Sequence, residues 1–492
     1  MLYSGMPPGV RSLYRDIGVL RPILTESAER FGTPVYVLDL VSVERAARHL
    51  ESAFPAPWIR LYSVKANDLP EIAGFLRRRG WGTSVVSSGE WQHARRGGVS
   101  NDRVAFEGIG KTDAELEYAV SEAAAGRPPL WLAIESAQEA ARLAELAAGH
   151  GLGRGAARPL DILLRLNPDV APETRAEFAV GARSSKFGMS REDLLGLVRG
   201  GALDDPGLRL RGVHAHVGSD LGDVGAWCAA GVRSARLLAE LRAEAEAGSA
   251  RIRSAPADLD TIDFGGGFPL PGPGVPAPGQ FRRALARALA GAGLTLPPRP
   301  AIEPGRCLVG AAGWLVARVL HSRRGRGRSQ LAVLDAGMTE FIRPALYGSH
   351  HAAHPLSTGA GSAGAASFIQ NGSRGAIASA AGPVQGDLRE TALEGPVCES
   401  TDSLGIHLLP PLRRGDLIAI ERAGAYGASF TSRYNGRPAP AEVLLWPDGF
   451  LELCHRPPVT ALRPASAHGA PRCLATAGQD AAAGLLTARE LE

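Results

Sequence analysis

Short apolar runs alternate with longer amphipathic stretches over the middle of the chain, from about residue 59 to residue 306. The stretches between the runs are rich in Ala, Leu, Glu and Arg, a pattern typical of parallel strands connected by helices. Eight such runs over roughly 250 residues predict a (β/α)8 barrel of the TIM type. A doubly wound sheet is the alternative, although no Gly-x-Gly-x-x-Gly turn follows the first run. The candidate strands are 59–65, 83–87, 103–107, 130–135, 161–166, 210–217, 261–264 and 299–303.

After about residue 312 the pattern changes to apolar runs separated by turns, with little helical periodicity, which predicts a second, β-rich domain. Its candidate strands are 314–321, 330–335, 415–422 and 441–453. Gly, Ala and Ser dominate residues 357–387, and Ala dominates the tail at 464–492. Segments of such low complexity bury little apolar surface, so both are predicted to be loops or tails.

These patterns set the expected fold class, α/β plus β, and the expected domain bounds. We place the barrel at residues 35–311, with Val35–Asp39 as a strand that leads into it. The β-rich domain, a sandwich or barrel, is placed at residues 312–463, and residues 1–34 are expected to join it.

Composition narrows the class of protein. The formal net charge is +4, from 54 basic and 50 acidic residues spread along the chain, so no surface for nucleic acid or membrane is predicted. The five cysteines are scattered without a Cys-x-x-Cys pair, which argues against a disulfide framework and a zinc site. Neither a signal peptide nor a long apolar span is visible. We therefore expect a cytoplasmic protein.

Lysine is scarce: Lys65, Lys111 and Lys186 are the only lysines among 54 basic residues. Arginine therefore serves wherever a simple positive charge is sufficient, and the lysines are candidates for chemistry that a guanidinium cannot perform. A lysine amine can lose its proton and attack a carbonyl carbon, whereas arginine stays protonated. Lys65 ends an apolar run and is the strongest candidate, although a single lysine at a strand end more often only reaches solvent.

The C-terminal ends of the strands form the active site of a TIM barrel, so the residues at those ends are the candidate site. The predicted strand ends supply Lys65, His214 to Ser219, Asp263 to Pro269 and Glu303 to Arg306. Each of these signals taken singly more often has a structural explanation. Their occurrence together at the ends of successive strands favours a functional site.

These residue types suit one cofactor, pyridoxal 5′-phosphate. The Lys65 amine can form a Schiff base with its aldehyde. The backbone of the glycine-rich turn, with Ser219 and Arg306, can hold its phosphate. A carboxylate can keep the pyridine nitrogen protonated, so that the ring accepts electrons from the substrate, and an imidazole can lie against the ring face.

The sequence resembles the fold-type III pyridoxal-phosphate decarboxylases, the group that includes ornithine, arginine and diaminopimelate decarboxylases, and is most similar to the diaminopimelate branch. The resemblance covers about residues 30 to 460 and implies an alanine-racemase-like barrel followed by a β domain. Its motifs are Tyr62–Asn67, Gly110–Thr112, Ser185–Gly188, His214–Ser219, Gly265–Gly267, Glu303–Arg306, Asp335–Met338, Arg343–Tyr347, Cys398–Ser400 with Asp402, and Gly424–Tyr426.

The resemblance implies a role for each matching residue. Lys65, His216 and Cys398 are the implied catalytic residues, and Cys398 would come from a second subunit because such sites are shared across a homodimer. The implied cofactor-binding residues are Lys65, His216, Ser219, Gly266, Gly267, Glu303, Pro304, Gly305, Arg306 and Tyr426. The implied substrate-binding residues are Arg306, Arg343, Tyr347, Glu399 and Tyr426.

Arg343 favours meso-diaminopimelate as the substrate, with L-lysine and carbon dioxide as products. A forked guanidinium suits a second carboxylate, whereas a diamine-forming enzyme would need an acidic group for a distal ammonium.

Three residues depart from the family pattern: Ser84 stands where Asp is usual, Asp220 where Gln is common, and Ala215 where Cys is frequent. They leave open a decarboxylase of a specialised pathway that acts on another, including a carrier-linked, amino acid. A non-catalytic homologue and a racemase are further alternatives. The first would be expected to lose Lys65 or Cys398, and the second would not need the Arg343–Tyr347 segment.

Overall fold

A computed structural model describes residues 13–155, 157–248, 252, 254–325, 329–356 and 388–455. Over these residues the strands form two sheets, a closed barrel of eight strands and a mixed sheet of nine. The strands are β1 (Val35–Asp39), β2 (Ile59–Ser63), β3 (Gly82–Val85), β4 (Val104–Phe106), β5 (Trp131–Ile134), β6 (Leu160–Arg165), β7 (Leu208–His214), β8 (Thr261–Asp263), β9 (Arg299–Ile302), β10 (Gly313–Arg324), β11 (Gln330–Leu334), β12 (Ala353–Pro355), β13 (Arg389–Glu394), β14 (Ser403–Leu409), β15 (Leu417–Ile420), β16 (Ala441–Leu445) and β17 (Leu451–His455).

The α-helices of the described ranges mostly follow the barrel strands. They are α1 (Ile17–Phe31), α2 (Leu40–Ala53), α3 (Pro70–Arg77), α4 (Ser88–Arg96), α5 (Asp113–Ala124), α6 (Ala137–Gly149), α7 (Arg191–Gly200), α8 (Gly225–Glu246), α9 (Pro278–Gly291), α10 (Arg306–Val309) and α11 (Arg343–Tyr347). Within the described parts of the chain, no helix is both long and apolar enough to cross a membrane.

The barrel consists of β2 to β9 in sequence order, with every neighbouring pair parallel and β9 closing against β2. Each of the eight runs that the hydrophobic pattern predicts is a strand, and the closed barrel excludes the doubly wound alternative. Buried apolar side chains of five barrel strands pack together in one cluster, as close packing requires. The members of that cluster are Leu61, Ala105, Trp131, Leu163 and Ala301.

Serine and threonine caps fix where several barrel helices begin. Each cap hydroxyl accepts a hydrogen bond from a backbone N–H of the first helical turn, which would otherwise lack a partner. The caps with this bond are Ser87, Thr112, Ser136 and Ser190. At Thr112 the side chain of Glu115 also reaches back to the cap, completing a capping box. The caps therefore fix the short connections between the strand ends and the helices that follow them.

The mixed sheet has the order β14-β13-β11-β10-β1-β16-β17, with β15 paired to β10 and β12. β1 pairs antiparallel with β10 and parallel with β16, so Val35–Asp39 belongs to this sheet and the prediction that it leads into the barrel is wrong. All five of its residues are buried. An apolar run buried on both faces has the same pattern in a barrel strand and in the centre of an open sheet, so periodicity does not separate the two.

Apolar clusters cover both faces of the mixed sheet. Val35 and Val37 face one cluster, which helix α1 completes with Leu20 and Leu24, and Tyr36 faces the other. This alternation follows the two-residue period of a strand. Of the segment at 1–34, residues 13–34 are described, and their helix packs on this sheet.

The predicted strand at 441–453 is instead a hairpin of two strands, β16 and β17. The chain turns at Pro447-Asp448-Gly449, where Gly449 has a φ of 88° and Trp446 accepts from its N–H. A Pro-Asp-Gly sequence is typical of a turn. The prediction of one long strand overlooked it because apolar residues lie on both sides of it. The sequence analysis also missed β12, β13 and β14. The low-complexity segments predicted at 357–387 and 464–492 lie outside the described residues.

Candidate active site

A cavity of about 290 Å³ opens at the C-terminal ends of the barrel strands. Most of the site residues predicted from the sequence line this cavity. They include residues at the ends of barrel strands and residues from the part of the chain that follows the barrel. The predicted residues that line it are Lys65, His216, Ser219, Gly267, Glu303, Gly305, Arg306, Arg343, Tyr347 and Tyr426. Gly266 and Pro304 take part through their backbone: the Gly266 N–H donates to His216 Nδ1 at 3.2 Å, and the Pro304 carbonyl accepts from the Ser63 N–H at 3.2 Å.

Lys65 lies in a single 3-10 turn, Val64–Ala66, directly after β2. The turn is held from inside the barrel, where the buried Tyr62 hydroxyl donates to the Asn67 carbonyl at 2.7 Å. The 424–429 segment holds it from the other side. The Tyr426 N–H donates to the Ala66 carbonyl at 2.7 Å, and the Ser429 hydroxyl donates to the Lys65 carbonyl at 3.1 Å. The backbone from which the Lys65 side chain projects is thus fixed from two sides.

The glycine-rich turn after β8 lets backbone approach backbone. A Cβ on Gly266 would lie 2.4 Å from the Glu303 carbonyl oxygen, and one on Gly267 would lie 2.7 Å from the Gly218 carbonyl oxygen. Gly267 also has a φ of 100°, a conformation that other residues rarely adopt. Neither position accepts a side chain, and at Gly267 the bare backbone lines the cavity.

His216 is held by the same turn, through the Gly266 N–H that its Nδ1 accepts. Burial lowers the pKa of His216 well below its ordinary value, and the charges of Lys65 and Arg165 lower it further. The ring is therefore neutral at physiological pH, which suits packing against a flat aromatic ligand.

A buried ionic group lines part of the cavity. It is formed by Glu303 after β9, His214 at the end of β7 and Glu107 after β4. The imidazole stands between the two carboxylates: its Nδ1 lies 2.8 Å from Glu107 Oε2, and its Nε2 lies 3.7 Å from Glu303 Oε2. Burial alone would lower the pKa of His214, but the negative charges of Glu107 and Glu303 beside it raise it to about 10. Burial alone would raise the pKa of Glu303, but His214 lowers it to about 2. The sequence analysis assigned no role to Glu107 or His214, although both stand at strand ends.

Arg306 and Arg343 are buried and line the cavity beside the ring of Tyr426. The Arg306 Nη2 donates to Ser219 Oγ at 2.8 Å, and its guanidinium carbon lies 4.9 Å from the centre of the Tyr426 ring. The Arg343 guanidinium lies 5.7 Å from the Tyr347 ring centre and 5.9 Å from that of Tyr426. Burial and the like charge of Arg306 lower the pKa of Arg343 to about 10. A pair of forked cations in an apolar, aromatic setting is a receptor for an acidic group.

Arg165 is a cavity residue that the sequence analysis missed. It ends β6 and forms a buried ion pair with Glu135, whose second oxygen accepts from the Gly188 N–H at 2.9 Å. The Arg165 guanidinium also lies 4.8 Å from the centre of the Phe187 ring. A charged residue at the end of an otherwise apolar run is the signal that could have found it.

Cys398 and Glu399 do not line the cavity of their own chain. The Cys398 thiol is free and exposed, and Glu399 Oε1 accepts from the Tyr434 hydroxyl at 2.5 Å. The buried carboxylate of Asp402 fixes their loop, since it accepts from the N–H groups of Val397 and Met338 at 2.8 and 2.5 Å.

Lys111 has a structural role. Its buried ammonium donates to the carbonyls of Gly108 and Ala133 at 2.6 and 2.7 Å, and to Glu139 Oε1 at 2.7 Å. All three donors are therefore used. The third lysine, Lys186, is exposed and lies with its amine 5.3 Å from the centre of the Phe187 ring.

We expect Lys111→Met to lower the free energy of unfolding by about 3–5 kcal/mol, because it leaves the buried Glu139 carboxylate without its cation. Urea denaturation followed by circular dichroism measures the change. The double variant Lys111→Met with Glu139→Gln is the control and should recover part of the loss. Unchanged stability of the single variant would contradict this role.

The geometry of the cavity fits the cofactor that the sequence predicts. Glu303 Oε1 is buried and has no hydrogen-bond partner among the described residues, so a protonated ring nitrogen would satisfy it. The glycine backbone, the Ser219 hydroxyl and the Arg306 guanidinium provide the donors that a phosphate needs. Lys65 lines the same cavity as these groups.

Comparisons with known proteins agree with this fit. Residues 40–310 match the family described as "Pyridoxal-dependent decarboxylase, pyridoxal binding domain". The chain is 32% identical to the diaminopimelate decarboxylase of Zymomonas mobilis subsp. mobilis over 431 residues, covering 86% of this chain and 90% of that protein. It is also 32% identical to the diaminopimelate decarboxylase of Archaeoglobus fulgidus, again covering 86% of this chain and 90% of the relative.

Solved structures show the same fold over nearly the whole of the relatives. The diaminopimelate decarboxylase of Helicobacter pylori, complexed with L-lysine, superposes with a TM-score of 0.72 at 27% identity and covers 88% of this chain and 96% of its own. The diaminopimelate decarboxylase of M. jannaschii, also in complex with L-lysine, gives 0.71 at 25% identity and covers 88% and 91%. A lysine/ornithine decarboxylase of Vibrio vulnificus, at 21% identity, shares the fold.

Proposed function

Because the chain belongs to the pyridoxal-dependent decarboxylases, and is thus a pyridoxal-phosphate-dependent carboxy-lyase, we propose that it converts meso-diaminopimelate to L-lysine and carbon dioxide. The observation that carries this choice of substrate is the pair of buried arginines, Arg306 and Arg343, in the cavity that also holds Lys65. An amino acid with a second carboxylate can place it on these cations.

We assign the cofactor to the strand ends of the barrel. Lys65 would bind it covalently, His216 would lie against its ring, and Glu303 would pair with its ring nitrogen. The backbone of Gly266–Gly267 and the side chains of Ser219, Arg306 and Tyr426 would hold its phosphate. When bound, the cofactor supplies an aldehyde for the substrate amine and a protonated ring that accepts electrons from the carbon losing its carboxylate.

The substrate would be oriented by arginine and tyrosine side chains that line the same cavity. Arg343 and Tyr347, with Arg306, would hold the distal carboxylate, and this grip turns the reacting carbon toward Lys65. A diamine-forming decarboxylase would need an acidic group where Arg343 stands. The neutral His216 ring and the apolar Phe178 and Phe187 exclude water from the reacting carbon.

A second copy of the chain would complete the site. Cys398 and Glu399 lie outside the cavity of their own chain, on a loop that Asp402 holds in place. Leu346, Phe430 and Tyr434 are exposed by 52%, 42% and 48%, which suits a subunit contact. We propose a homodimer in which Cys398 of one chain delivers the proton that replaces carbon dioxide on the other. The need for a reduced thiol favours the cytoplasm as the compartment.

Hybrid dimers test the shared site. Lys65→Ala and Cys398→Ala should each be nearly inactive, because each removes one residue from both sites. After the two variants are dissociated and mixed, half of the dimers would carry one intact site, so about a quarter of the wild-type activity should return. Carbon dioxide release measures the recovery, and each variant mixed with itself is the control. No recovery from dimers shown to have exchanged subunits would contradict the shared site.

A decarboxylase with a different substrate is the second candidate, because Ser84 lines the cavity at a position where Asp is usual. Carbon dioxide release from meso-diaminopimelate, lysine, ornithine, arginine and glutamate separates the candidates. We expect diaminopimelate to react and L-lysine to be the product. Activity on ornithine with none on diaminopimelate would overturn the assignment, and interconversion of stereoisomers without carbon dioxide would indicate a racemase.

A further inference from the structure

Four titratable side chains form a buried group at the C-terminal ends of barrel strands. Glu107, His214, Asp263 and Glu303 stand at the ends of β4, β7, β8 and β9 and are all at least nine-tenths buried. Three of them are carboxyl groups, and buried carboxylates repel one another unless a cation lies beside them. The charge of His214 therefore affects how many of the three are ionised. Only Glu303 of the four has a role in the function proposed above for the cofactor ring.

We propose that Glu107 is a positioning residue for the reaction: through His214 it holds Glu303 as a carboxylate with one oxygen free for the ring nitrogen of the cofactor. This inference rests on the proposed function, in which Glu303 pairs with the ring nitrogen of the cofactor. It adds Glu107, a cavity residue to which the proposed function assigns no role.

The distances define the order of the contacts. Glu107 is fixed by two partners, since its Oε1 accepts from the Trp131 indole N–H at 3.1 Å and its Oε2 lies 2.8 Å from His214 Nδ1. This contact leaves His214 Nε2 facing Glu303 Oε2, at 3.7 Å. Glu303 Oε1 stays without a hydrogen-bond partner among the described residues. The contacts therefore distinguish the two oxygens of Glu303.

Asp263 shows what the same surroundings do to a carboxyl group that lacks this support. Burial raises the pKa of Asp263 well above its ordinary value, and the negative charge of Glu303 raises it further. Its Oδ1 accepts from the Gly265 N–H at 2.8 Å, while its Oδ2 has no partner in the described part of the chain. A buried carboxyl group here is neutral unless a cation stands beside it.

The charges within the group follow from these contacts. His214 is protonated at neutral pH because its pKa is raised to about 10, and Glu303 is ionised because its pKa is lowered to about 2. Burial favours the neutral form of Asp263, although the charge of His214 opposes this shift of its pKa. An ionised Glu303 complements a protonated ring nitrogen. Lys65 adds a positive charge on the cavity side, and it favours the ionised form of Glu303. Without Glu107, burial would favour a neutral His214 and would leave Glu303 with less cationic support.

The test is Glu107→Gln in the full-length, cofactor-loaded protein with isotopically labelled histidine. His214, identified by the signal lost in His214→Asn, should stay protonated up to about pH 10 in the wild type. In Glu107→Gln its titration midpoint should fall by at least about 2 pH units, because the neighbouring charge is gone. The dissociation constant of the cofactor should rise about tenfold or more, and kcat should fall with KM nearly unchanged.

Two further variants keep the inference open to refutation. Trp131→Phe removes the other hydrogen bond of Glu107 but keeps its charge, so the His214 midpoint should not move. The double variant Glu107→Gln with His214→Asn should bind the cofactor no more weakly than His214→Asn alone, because Glu107 acts through His214. An unmoved midpoint in Glu107→Gln, an equal shift in Trp131→Phe, or additive losses in the double variant would each overturn the proposal. If the wild type released no carbon dioxide from any amino acid, the proposed function would fail, while the titration result would stand by itself.

Discussion

Replacing Lys65 with alanine is expected to lower decarboxylation by about 10⁴-fold or more and to abolish covalent attachment of the cofactor. The backbone that carries Lys65 is fixed at the mouth of the barrel, because the Tyr426 N–H donates to the Ala66 carbonyl and the Ser429 hydroxyl donates to the Lys65 carbonyl. No neighbouring side chain can replace it. Lys111 is bound to three acceptors, and the arginines of the cavity remain protonated.

Borohydride reduction of the purified protein followed by peptide mapping measures the attachment. With three lysines in the chain, the modified peptide identifies the residue directly. Lys65→Arg keeps the charge and should lose the covalent bond, whereas Lys186→Ala removes an exposed lysine and should keep it. If the cofactor were still covalently attached to the Lys65→Ala variant after borohydride reduction, another amine would be its attachment site.

Replacing Arg343 with methionine is expected to lower kcat/KM for meso-diaminopimelate by about 10²–10³-fold, mainly through KM. Truncating one partner of a buried charged pair costs about 2–5 kcal/mol of binding free energy. Arg343 is suited to such a pair, because its guanidinium is buried among the rings of Phe178, Tyr347 and Tyr426. Methionine keeps the length and the apolar stem of the side chain.

Steady-state kinetics on purified variants provide the measurement. Arg343→Lys restores a charge without the fork and should recover activity only in part. Arg175→Met removes an exposed arginine and should change kcat/KM by less than about twofold. If Arg343→Met kept the wild-type KM for diaminopimelate, the distal carboxylate would have to bind elsewhere, and the substrate assignment would lose its main support.

The strand ends explain how much of the site could be read from the sequence. Lys65, His216 and Glu303 each follow an apolar run, and parallel strands in a barrel bring the ends of such runs together. The pairing of Glu107 with His214 could not be read in this way. Their β4 and β7 are not neighbours in the barrel, and the 2.8 Å contact between them depends on the width of the barrel interior.

The mixed sheet was harder to predict than the barrel. The apolar run Val35–Asp39 fits either sheet by its pattern, and its partners in β10 and β16 are distant in sequence. The site depends on that long-range pairing, since Arg343, Tyr347 and Tyr426 come from the part of the chain that follows the barrel. The sequence motifs named these three residues, but only packing brings them to the mouth of the barrel.

By itself, then, the sequence determined the eight barrel strands, the residues at their ends and the cofactor that those residues suit, because local periodicity and residue chemistry are properties of short segments. Tertiary structure alone decided which sheet Val35–Asp39 joins, which lysine is structural and which charges support Glu303. Those three outcomes depend on burial and on distances between segments far apart in the chain. The electrostatic free energy of a buried group is set by its surroundings, which no single segment contains.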